Sequence, residues 1–471
     1  MRDAWFVFLL ACGAVLLHGY HFGVEDHFVY LPAIRQALDP TLYPHDSIYF
    51  QVQMGWMLFD ELVAAAVRAS GLSLEWTFFL GHLLTIYLLL LGAWRASGRV
   101  FRDVLARWAA VALLASLLIL VAAGTLLYLA DTYLVPRTLA SALLLHAMAE
   151  AFDRRPRAAL WLVVSFFIHP TMTLAGAWHL LFLIWRPPFA PPQAASLLLL
   201  PDNPAWREAV HLRRFIFPTR WPLVAQFAAI VPLLLLRWFQ RIARKLGNAS
   251  LELVAGRLLF SGGLGMALAV LLTTMPGREH FATAEPMRVI HFVFLVTVLL
   301  GGGLLGERVL GRRPLRWLLL FVPLCVGVFV GQRMLYPASP HLEWPWREPG
   351  NDWARAFAWV REHTPRDALF ALNPRYTELP GEDDRGFRGL AARSALGDYS
   401  KDRMAAALAP ELAPLWRQHW QALAGWQQFT LEDFRRLKTN FGVNWVVLEQ
   451  PGIAGLECPY QNAAVRVCRI P

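Results

Sequence analysis

The chain has 471 residues, of which 56% are hydrophobic and 17% are charged, and it contains 20 Trp and 30 Phe. This composition excludes an ordinary soluble domain and is typical of an integral membrane protein. The formal net charge is +10, but the arginines fall between apolar runs, as expected if they fix topology by staying on the cytoplasmic side. The basic balance therefore does not indicate a nucleic-acid partner.

The first apolar run, roughly residues 4–20, is predicted to be an uncleaved helix that leaves the cytoplasm. The external segment that follows, residues 21–53, contains the adjacent acids Glu25 and Asp26 and then FVYLPAIRQALD, an amphipathic stretch suited to lying on the membrane surface. Residues 54–70 contain three charged side chains, which favours an interfacial helix, with a short span as the alternative.

Three further segments are predicted to cross the membrane next. Residues 76–94 should return inward because four arginines follow them, residues 109–128 should cross outward, and residues 133–152 should come back. The long apolar segment that begins at residue 158 is interrupted by His169–Pro170, where proline removes a backbone donor and clashes with the preceding turn. We interpret it as one broken crossing, with a hairpin of two short buried helices as the alternative.

Residues 187–221 are predicted to form an external loop, although their four arginines go against the positive-inside expectation, which long loops escape. The remaining crossings are predicted at 222–236, 251–273, 289–305 and 317–331. The sequence therefore predicts a polytopic all-α membrane domain at 1–335, with about nine to eleven helices and a cytoplasmic N-terminus.

The polar remainder, residues 336–471, is predicted to be a small α/β domain outside the membrane. DWARAFAWVREH has the period of an amphipathic helix, and ALFAL, NFGVNWVVLE and AAVRVCRI have the composition of strands. Cys458 and Cys468 lie close together in this region. A disulfide between them would fit an oxidising compartment.

Acidic residues near a membrane are costly unless they are solvated or functional. Three predicted outer turns place carboxylates near basic residues: the turn with Glu25 and Asp26, the turn with Asp131 and Arg137, and MPGREHFATAEPMR, which contains Arg278, His280, Glu285 and Arg288. Each turn alone is typical of a solvated loop, whereas the three together suggest a site at the outer face. His169 is either a satisfied interior imidazole or part of a site at the helix break.

Several enzyme classes lack their sequence motifs in this chain. It contains no HExxH metalloprotease motif, no Walker loop, no GxSxG elbow and no CxxC zinc pair. GGGLLG at 301–306 lies within a predicted membrane helix, which indicates helix packing rather than phosphate binding.

These features resemble the GT-C superfamily of polyprenyl-phosphate-dependent membrane glycosyltransferases, in particular its uncharacterised bacterial members. The stretches that carry the resemblance are VEDHFVYLPAI, DTYLVPRTLA, FFIHPTMTL, WVREHTPRDALFAL and RGFRGLAARSALGDYSKD. The resemblance implies inverting transfer of a hexose or pentose from a polyprenyl-(di)phosphate carrier to a glycan, lipid or protein acceptor. It also implies a bacterial inner-membrane protein with its C-terminal domain in the periplasm.

In that superfamily an acid of the first external loop deprotonates the acceptor, and basic residues hold the lipid phosphate. Carried over, this implies that Asp26 is the base and that Glu25 supports it or exchanges roles with it, since several relatives have Asp before Glu. The basic candidates are Arg137, Arg278, Arg288, Arg213 and Arg214, with Asp131, His169 and His280 in supporting positions. Some relatives use a divalent metal such as Mg²⁺ or Mn²⁺ and others do not, so no metal ligand is assigned.

Two other functions remain compatible with the sequence. A transporter or lipid flippase would use the broken helix at His169–Pro170 as a midplane substrate site. A protein of the same architecture without catalytic activity would serve as an envelope scaffold. The enzyme interpretation requires that the outer acids and arginines line one cavity open to the lipid and to the periplasm.

Overall fold

The computed structural model describes residues 2–184, 203–275, 277, 279–398 and 401–471. Within these residues the helices are, in chain order, α1 (Arg2–His18), α2 (His27–Leu38), α3 (Ile48–Met54), α4 (Phe59–Ser70), α5 (Leu74–Val100), α6 (Val104–Ser116), α7 (Pro136–Phe152), α8 (Arg157–Ile168), α9 (Pro170–Ile184), α10 (Pro204–Leu212), α11 (Leu223–Leu246), α12 (Ala249–Thr274), α13 (Glu279–Thr283), α14 (Val289–Leu305), α15 (Pro314–Leu335), α16 (Asp352–His363), α17 (Phe387–Ala391), α18 (Lys401–Leu408), α19 (Ala413–Ala422) and α20 (Leu431–Phe441).

The chain divides into two compact units. The first unit comprises Met1–His18, Leu80–Asp202 and Arg213–Gly331, and the second comprises Gly19–Phe79, Asn203–Leu212 and Gln332–Pro471. The second unit therefore contains both the segment after α1 and the C-terminal residues. Helices α5 and α15 contribute residues to both units.

Long apolar helices establish the chain as a membrane protein. In the part that the structure describes, five helical segments are long and apolar enough to cross a bilayer: Leu74–Val100, Leu223–Leu246, Ala249–Thr274, Glu279–Leu310 and Pro314–Leu335. Each exceeds the length that ~30 Å of hydrocarbon requires. The predicted architecture, a polytopic helical membrane domain followed by a small α/β domain, is confirmed.

The predicted crossing at 109–128 is wrong, because α6 ends at Ser116. The chain then makes a short 3-10 turn, Ala123–Thr125, and closes an antiparallel bridge between Val121 and Tyr128. Ala123 and Leu126 have positive φ angles of 55° and 60°, which a right-handed α-helix does not contain. The prediction rested on hydrophobic composition alone, which does not distinguish a partly buried irregular segment from a helix.

The predicted helix break at His169 is present. His169 has φ −155° and ψ 93°, which is extended backbone, and it separates α8 from α9. The hydroxyls of Ser165 and Thr173 lie 2.6 Å apart across the break, and the His169 carbonyl accepts a hydrogen bond from the Thr173 hydroxyl. Side-chain and backbone partners therefore satisfy the polar groups that the break releases.

The predicted external loop at 187–221 is only partly described. Residues 187–202 lie outside the described residues. The remainder contains α10 and two 3-10 turns, Arg214–Ile216 and Pro218–Arg220.

A mixed five-stranded sheet forms the centre of the second unit, within its described residues. Its strands are β1 (Leu369–Leu372), β2 (Ser394–Ala395), β3 (Trp445–Glu449), β4 (Glu457–Gln461) and β5 (Val465–Arg469), in the order β2-β1-β3-β5-β4. β1 is parallel to β2 and β3, and β5 is antiparallel to β3 and β4. The disulfide between Cys458 and Cys468 joins β4 to β5.

Helices cover both faces of this sheet. On one face Trp353 and Phe357 of α16 pack against Phe370 and Trp445. On the other face, Phe434 of α20 is buried in a cluster with residues of β3. The alternation of strand side chains between two buried faces accounts for the apolar runs that predicted β1 and β3. The short β2 and the proline-containing β4 gave no such signal.

The segment after α1 is built into the second unit by main-chain hydrogen bonds. The Tyr20 amide donates to the His341 carbonyl (3.1 Å), and the Glu343 amide donates to the Tyr20 carbonyl (3.0 Å). Farther along, the Gly386 amide donates to the Gly23 carbonyl (2.7 Å). Residues 20–23 therefore have a fixed backbone.

A buried ion pair stabilises this connection. The Arg385 side chain is 1% exposed and bonds the Glu343 carboxylate, which also accepts the Phe22 amide at 2.9 Å. Arg385 donates to the Phe22 carbonyl as well, at 2.8 Å. Burial alone would raise the pKa of Glu343, but Arg385 and His21 outweigh it and lower the pKa to about 2. The pair therefore stays ionised at neutral pH.

Replacing Glu343 with Gln should destabilise the second unit by about 3 kcal/mol, because buried Arg385 would lose its directly bonded carboxylate and keep only that of Asp383, which lies 3.7 Å away. Thermal unfolding of the detergent-purified protein measures this loss. Because the folded pKa is depressed, the wild-type contribution is present above the unfolded value of about 4.3 and is lost as the pH falls toward about 2. The exposed Glu348→Gln variant is the control, and equal melting temperatures for both variants would contradict the prediction.

Candidate active site

Glu25 and Asp26 lie at the turn that begins α2, in the second unit. Glu25 has a left-handed backbone with φ 45°, and Asp26 is the residue directly before the helix. The Gly23 amide donates to the ring of His27 at 2.9 Å, and His27 is fully buried. A non-glycine residue held at positive φ costs of order 1 kcal/mol and is found often at functional sites.

Lys401, the first residue of α18, forms an ion pair with Asp26. Its ammonium lies 2.5 Å from Asp26 Oδ1, and its backbone amide donates to Asp398 Oδ1 at 2.6 Å. Burial opposes the charge on Lys401, but Asp26, Asp384 and Glu25 outweigh it and raise the pKa of the ammonium. Lys401 is therefore a permanent cation beside Asp26, and the sequence reasoning did not find it.

Asp384 is the second residue of this group that the sequence did not reveal. Burial is the main reason that its pKa rises to about 7, and the nearby Glu25 and Asp398 add to the effect, which Lys401 opposes. Oδ1 of Asp384 is buried and has no hydrogen-bond partner among the described residues. A carboxyl group that titrates near neutral pH is suited to proton transfer. Its only signal was its position, directly before the RGFRGLAARS stretch.

Together these side chains form what we call the carboxylate site, which consists of Glu25, Asp26, Asp384, Asp398 and Lys401. The Tyr336 hydroxyl donates to Glu25 Oε1 at 3.5 Å. Three carboxyl groups, those of Glu25, Asp26 and Asp384, interact with the Lys401 ammonium, and Asp398 accepts the Lys401 backbone amide. The site therefore contains more carboxyl groups than ammonium groups. Such a site favours binding of hydroxyl donors and cationic groups over binding of anions.

A small open cleft adjoins the carboxylate site. Phe28, Asn373, Tyr376 and Asp398 contribute to its lining. Phe28 connects the cleft to the site, since its ring centroid lies 6.0 Å from the Lys401 ammonium. The cleft combines an aromatic wall with polar side chains, which suits a small hydroxylated group.

A buried arginine orders the segment that holds Asp398 and Lys401. Arg388 bonds the carboxylates of both Asp46 and Asp402, and it donates to the Ala395 carbonyl at 3.0 Å. Asp402 also accepts the Asp398 amide at 2.8 Å. This network fixes the chain on both sides of residues 399–400, which lie outside the described residues.

Asp131 and Arg137 form a buried pair in the first unit. Asp131 Oδ2 accepts hydrogen bonds from Arg137 Nε at 2.9 Å and from the Thr138 hydroxyl at 2.7 Å. Arg137 also donates to the Tyr133 hydroxyl at 3.0 Å. Because these hydrogen bonds are internal to one turn, they stabilise the start of α7.

Two arginines share one carboxylate elsewhere in the first unit, in what we call the arginine cluster: Arg213, Glu285 and Arg288. Both guanidinium groups bond the Glu285 carboxylate, and Arg213 is 3% exposed. Nη1 of Arg213 and both Nε and Nη1 of Arg288 are buried without a hydrogen-bond partner among the described residues. Two cations on one anion leave one net positive charge and three unused donors, which suits an anionic ligand.

The remaining predicted site residues are distributed as follows. His291 of α14 lies within electrostatic range of both Arg137 and Arg288 in the first unit. The ring of His169 contacts the Thr171 hydroxyl (3.3 Å) and the Met172 amide (3.4 Å) of its own turn.

Two predicted residues give little support to a site. Arg214 is exposed, and the His280 ring packs on Phe281. Arg278 lies outside the described residues. That the acids at 25–26 and the arginines share one cavity stays a prediction.

The sequence did not decide whether the protein binds a divalent metal ion. Over the ranges for which coordinates are given, no three His, Cys, Asp or Glu side chains are arranged to hold a metal ion. We therefore assign no ligand and no step to a metal.

Comparison with known proteins does not assign a family to the chain. No family model matches the chain, and no curated protein matches it. One solved structure to which it is similar is the Archaeoglobus fulgidus oligosaccharyltransferase in complex with Zn and sulfate, with 12% identity and a TM-score of 0.43, over 95% of this chain and 67% of that chain. A likeness of this level carries no argument about the activity of the present chain.

The raised pKa of Asp384 can be tested with dicyclohexylcarbodiimide, which reacts with protonated carboxyl groups. We expect labelling of Asp384 in the purified protein to fall as the pH rises through about 7. Peptide mass spectrometry measures the label, and Asp384→Asn supplies the unlabelled reference. Labelling that is already absent at about pH 5.5, where the group should be protonated, would contradict the assignment.

Proposed function

We propose that the chain transfers a sugar from a polyprenyl-(di)phosphate carrier to a hydroxyl acceptor at the periplasmic face of a bacterial inner membrane. The observation that carries the proposal is the carboxylate site, in which Asp26 is paired with Lys401 next to a carboxyl group that titrates near neutral pH. The membrane-spanning helices and the sequence resemblance to polyprenyl-phosphate-dependent glycosyltransferases support it.

In this proposal Asp26 is the general base. It takes the proton of the acceptor hydroxyl while the hydroxyl oxygen forms a bond to the anomeric carbon of the donor. The bond from that carbon to the phosphate oxygen breaks, and the electron pair leaves with the lipid phosphate, so the configuration inverts. A positioned base contributes about 10²- to 10⁴-fold to such a step. The ion pair with Lys401 holds Asp26 in place, and Glu25 is the neighbouring residue of Asp26.

Asp384 sets the pH dependence of this reaction. Above about pH 7 its carboxylate adds negative charge beside the Asp26–Lys401 pair, which favours transfer of a proton into the site. Below that pH Asp384 is neutral and this contribution is absent. The activity should therefore increase as the pH rises through about 7.

We assign the lipid phosphate to the arginine cluster. Arg213 and Arg288 have buried N–H groups that are not used by Glu285, and guanidinium groups match phosphate oxygens in bidentate geometry. Charge stabilisation there would favour departure of the phosphate. Arg137, Arg278 and Arg214 are further candidates for this role.

Transfer of radiolabelled sugar from a panel of polyprenyl-phosphate donors to extracted envelope acceptors tests the reaction. We expect Asp26→Asn to lose about 10²-fold or more of the wild-type rate, because the base is removed. Asp39→Asn, which changes a partly exposed acid at the other end of α2, is the control and should keep full activity. Equal turnover by Asp26→Asn and wild type would remove Asp26 from the mechanism.

The same assay separates the role of Asp384 from that of Asp26. We expect the wild-type rate to rise through an apparent pKa of about 7, and Asp384→Asn to keep a low activity without that rise. An unchanged pH profile in Asp384→Asn would contradict the assignment. If no donor is used and labelled lipid moves between leaflets of proteoliposomes, the transporter interpretation is favoured instead.

Binding of polyprenyl monophosphate tests the arginine cluster independently of turnover. We expect Arg213→Gln and Arg288→Gln each to weaken binding about tenfold or more, because each removes charge-assisted hydrogen bonds to the phosphate. Native mass spectrometry measures the bound lipid, with neutral polyprenol as the reference. Arg244→Gln, at an exposed pair with Glu252, is the control. Equal loss in all three variants would contradict a specific phosphate site.

A further inference from the structure

Helix α4 has an apolar face that no described residue covers. Its inner face buries Phe59 and Val63, whereas Leu58 and Leu62 are 46% and 52% exposed. Residues 58, 62, 65, 69 and 72 recur at the spacing of one helix face and are all Leu or Ala, and all five are exposed. The helix is therefore apolar on two opposite sides.

The charged residues of α4 lie at the border of this outer face. Glu61 and Arg68 are exposed and follow one another at helical spacing on one side. Arg68 reaches back to the Ala37 carbonyl. The face itself contains no charge, and Trp56, just before the helix, is 74% exposed.

A stack of three tryptophans, of which Trp346 is exposed and Trp76 and Trp344 are partly buried, begins shortly after α4 in the chain. Trp76, in the first turn of α5, stacks on Trp346 with ring centroids 5.4 Å apart, and Trp344 stacks on Trp346 at 4.7 Å. Trp346 remains 57% exposed. Amphipathic indole rings concentrate at the boundary between hydrocarbon and water.

We propose that the outer face of α4, together with Trp56 and the Trp76–Trp346 stack, binds the interfacial region of the lipid bilayer. We call this set of residues the lipid-facing surface. The argument for lipid is continuity, since only three residues separate α4 from α5, which is apolar and long enough to cross the membrane. The 12 residues of α4 extend about 18 Å, which is too short for a ~30 Å crossing, so the helix lies along the surface.

This surface also supports the carboxylate site. Phe59 of α4 packs edge-on against Tyr30 of α2, with ring centroids 5.5 Å apart. α2 begins directly after Asp26. Contact of α4 with the bilayer would therefore hold the carboxylates at a constant depth relative to a lipid-linked substrate. This consequence rests on the proposed function, whereas the lipid contact itself does not.

Nitroxide labelling of the full chain in nanodiscs tests the proposal. Cys12 and Cys325 are replaced by Ala, and single cysteines are introduced as Leu62→Cys on the lipid-facing surface and Ser70→Cys at the exposed C-terminal end of α4. We expect the ratio of collision with oxygen to collision with a soluble nickel chelate to be severalfold higher at position 62 than at position 70. Leu58→Cys is the second variant, used if Leu62→Cys fails to fold.

Two results would overturn the proposal. High nickel accessibility at positions 58 and 62 would show that the face lies in water. Low accessibility to both reagents would show that protein covers the face. If the accessibility then increases in nanodiscs that hold a single protein molecule, the covering protein is a second copy of the chain. Because the readout needs no substrate, its failure is distinct from failure of the sugar-transfer assay.

Discussion

The buried pair of Arg385 and Glu343 is the interaction on which the carboxylate site depends. It joins the segment after α1 to the C-terminal part of the second unit, since Arg385 bonds both the Glu343 carboxylate and the Phe22 carbonyl. Main-chain hydrogen bonds at Tyr20 and Gly23 complete this connection. Without it, the acids at 25–26 would belong to a loop, whereas with it they have a fixed position relative to Asp384 and Lys401.

The two units contain charged groups of opposite character. In the second unit, the carboxyl groups of Asp26, Asp384 and Glu25 interact with the ammonium of Lys401, and burial together with the neighbouring acids raises the pKa of Asp384 toward neutrality. In the first unit, Arg213 and Arg288 share Glu285 and have donors left over. A reaction that takes a proton from a hydroxyl and releases a phosphate needs one group of each kind, which is why both enter the proposed mechanism.

Much of the helical architecture could be predicted from the sequence, because membrane-spanning helices need long apolar runs between charged ends. α11, α12, α14 and α15 lie where hydropathy placed them. The predicted crossing at 109–128 is wrong because its apolar composition continues into a partly buried irregular segment after α6. Proline chemistry predicted the break at His169, since the local clash does not depend on tertiary contacts.

By itself the sequence determined that the chain crosses a membrane, that α/β structure follows the last span, and that Glu25 and Asp26 are candidates for chemistry. Each of these depends on local composition and order. Only the tertiary structure decided that Lys401 pairs with Asp26 across 375 positions of the chain. The same holds for Asp384, whose proton affinity depends on burial and on Glu25. Local sequence predicts neither the burial of a side chain nor its distance from charges far along the chain, because both arise only when the chain packs.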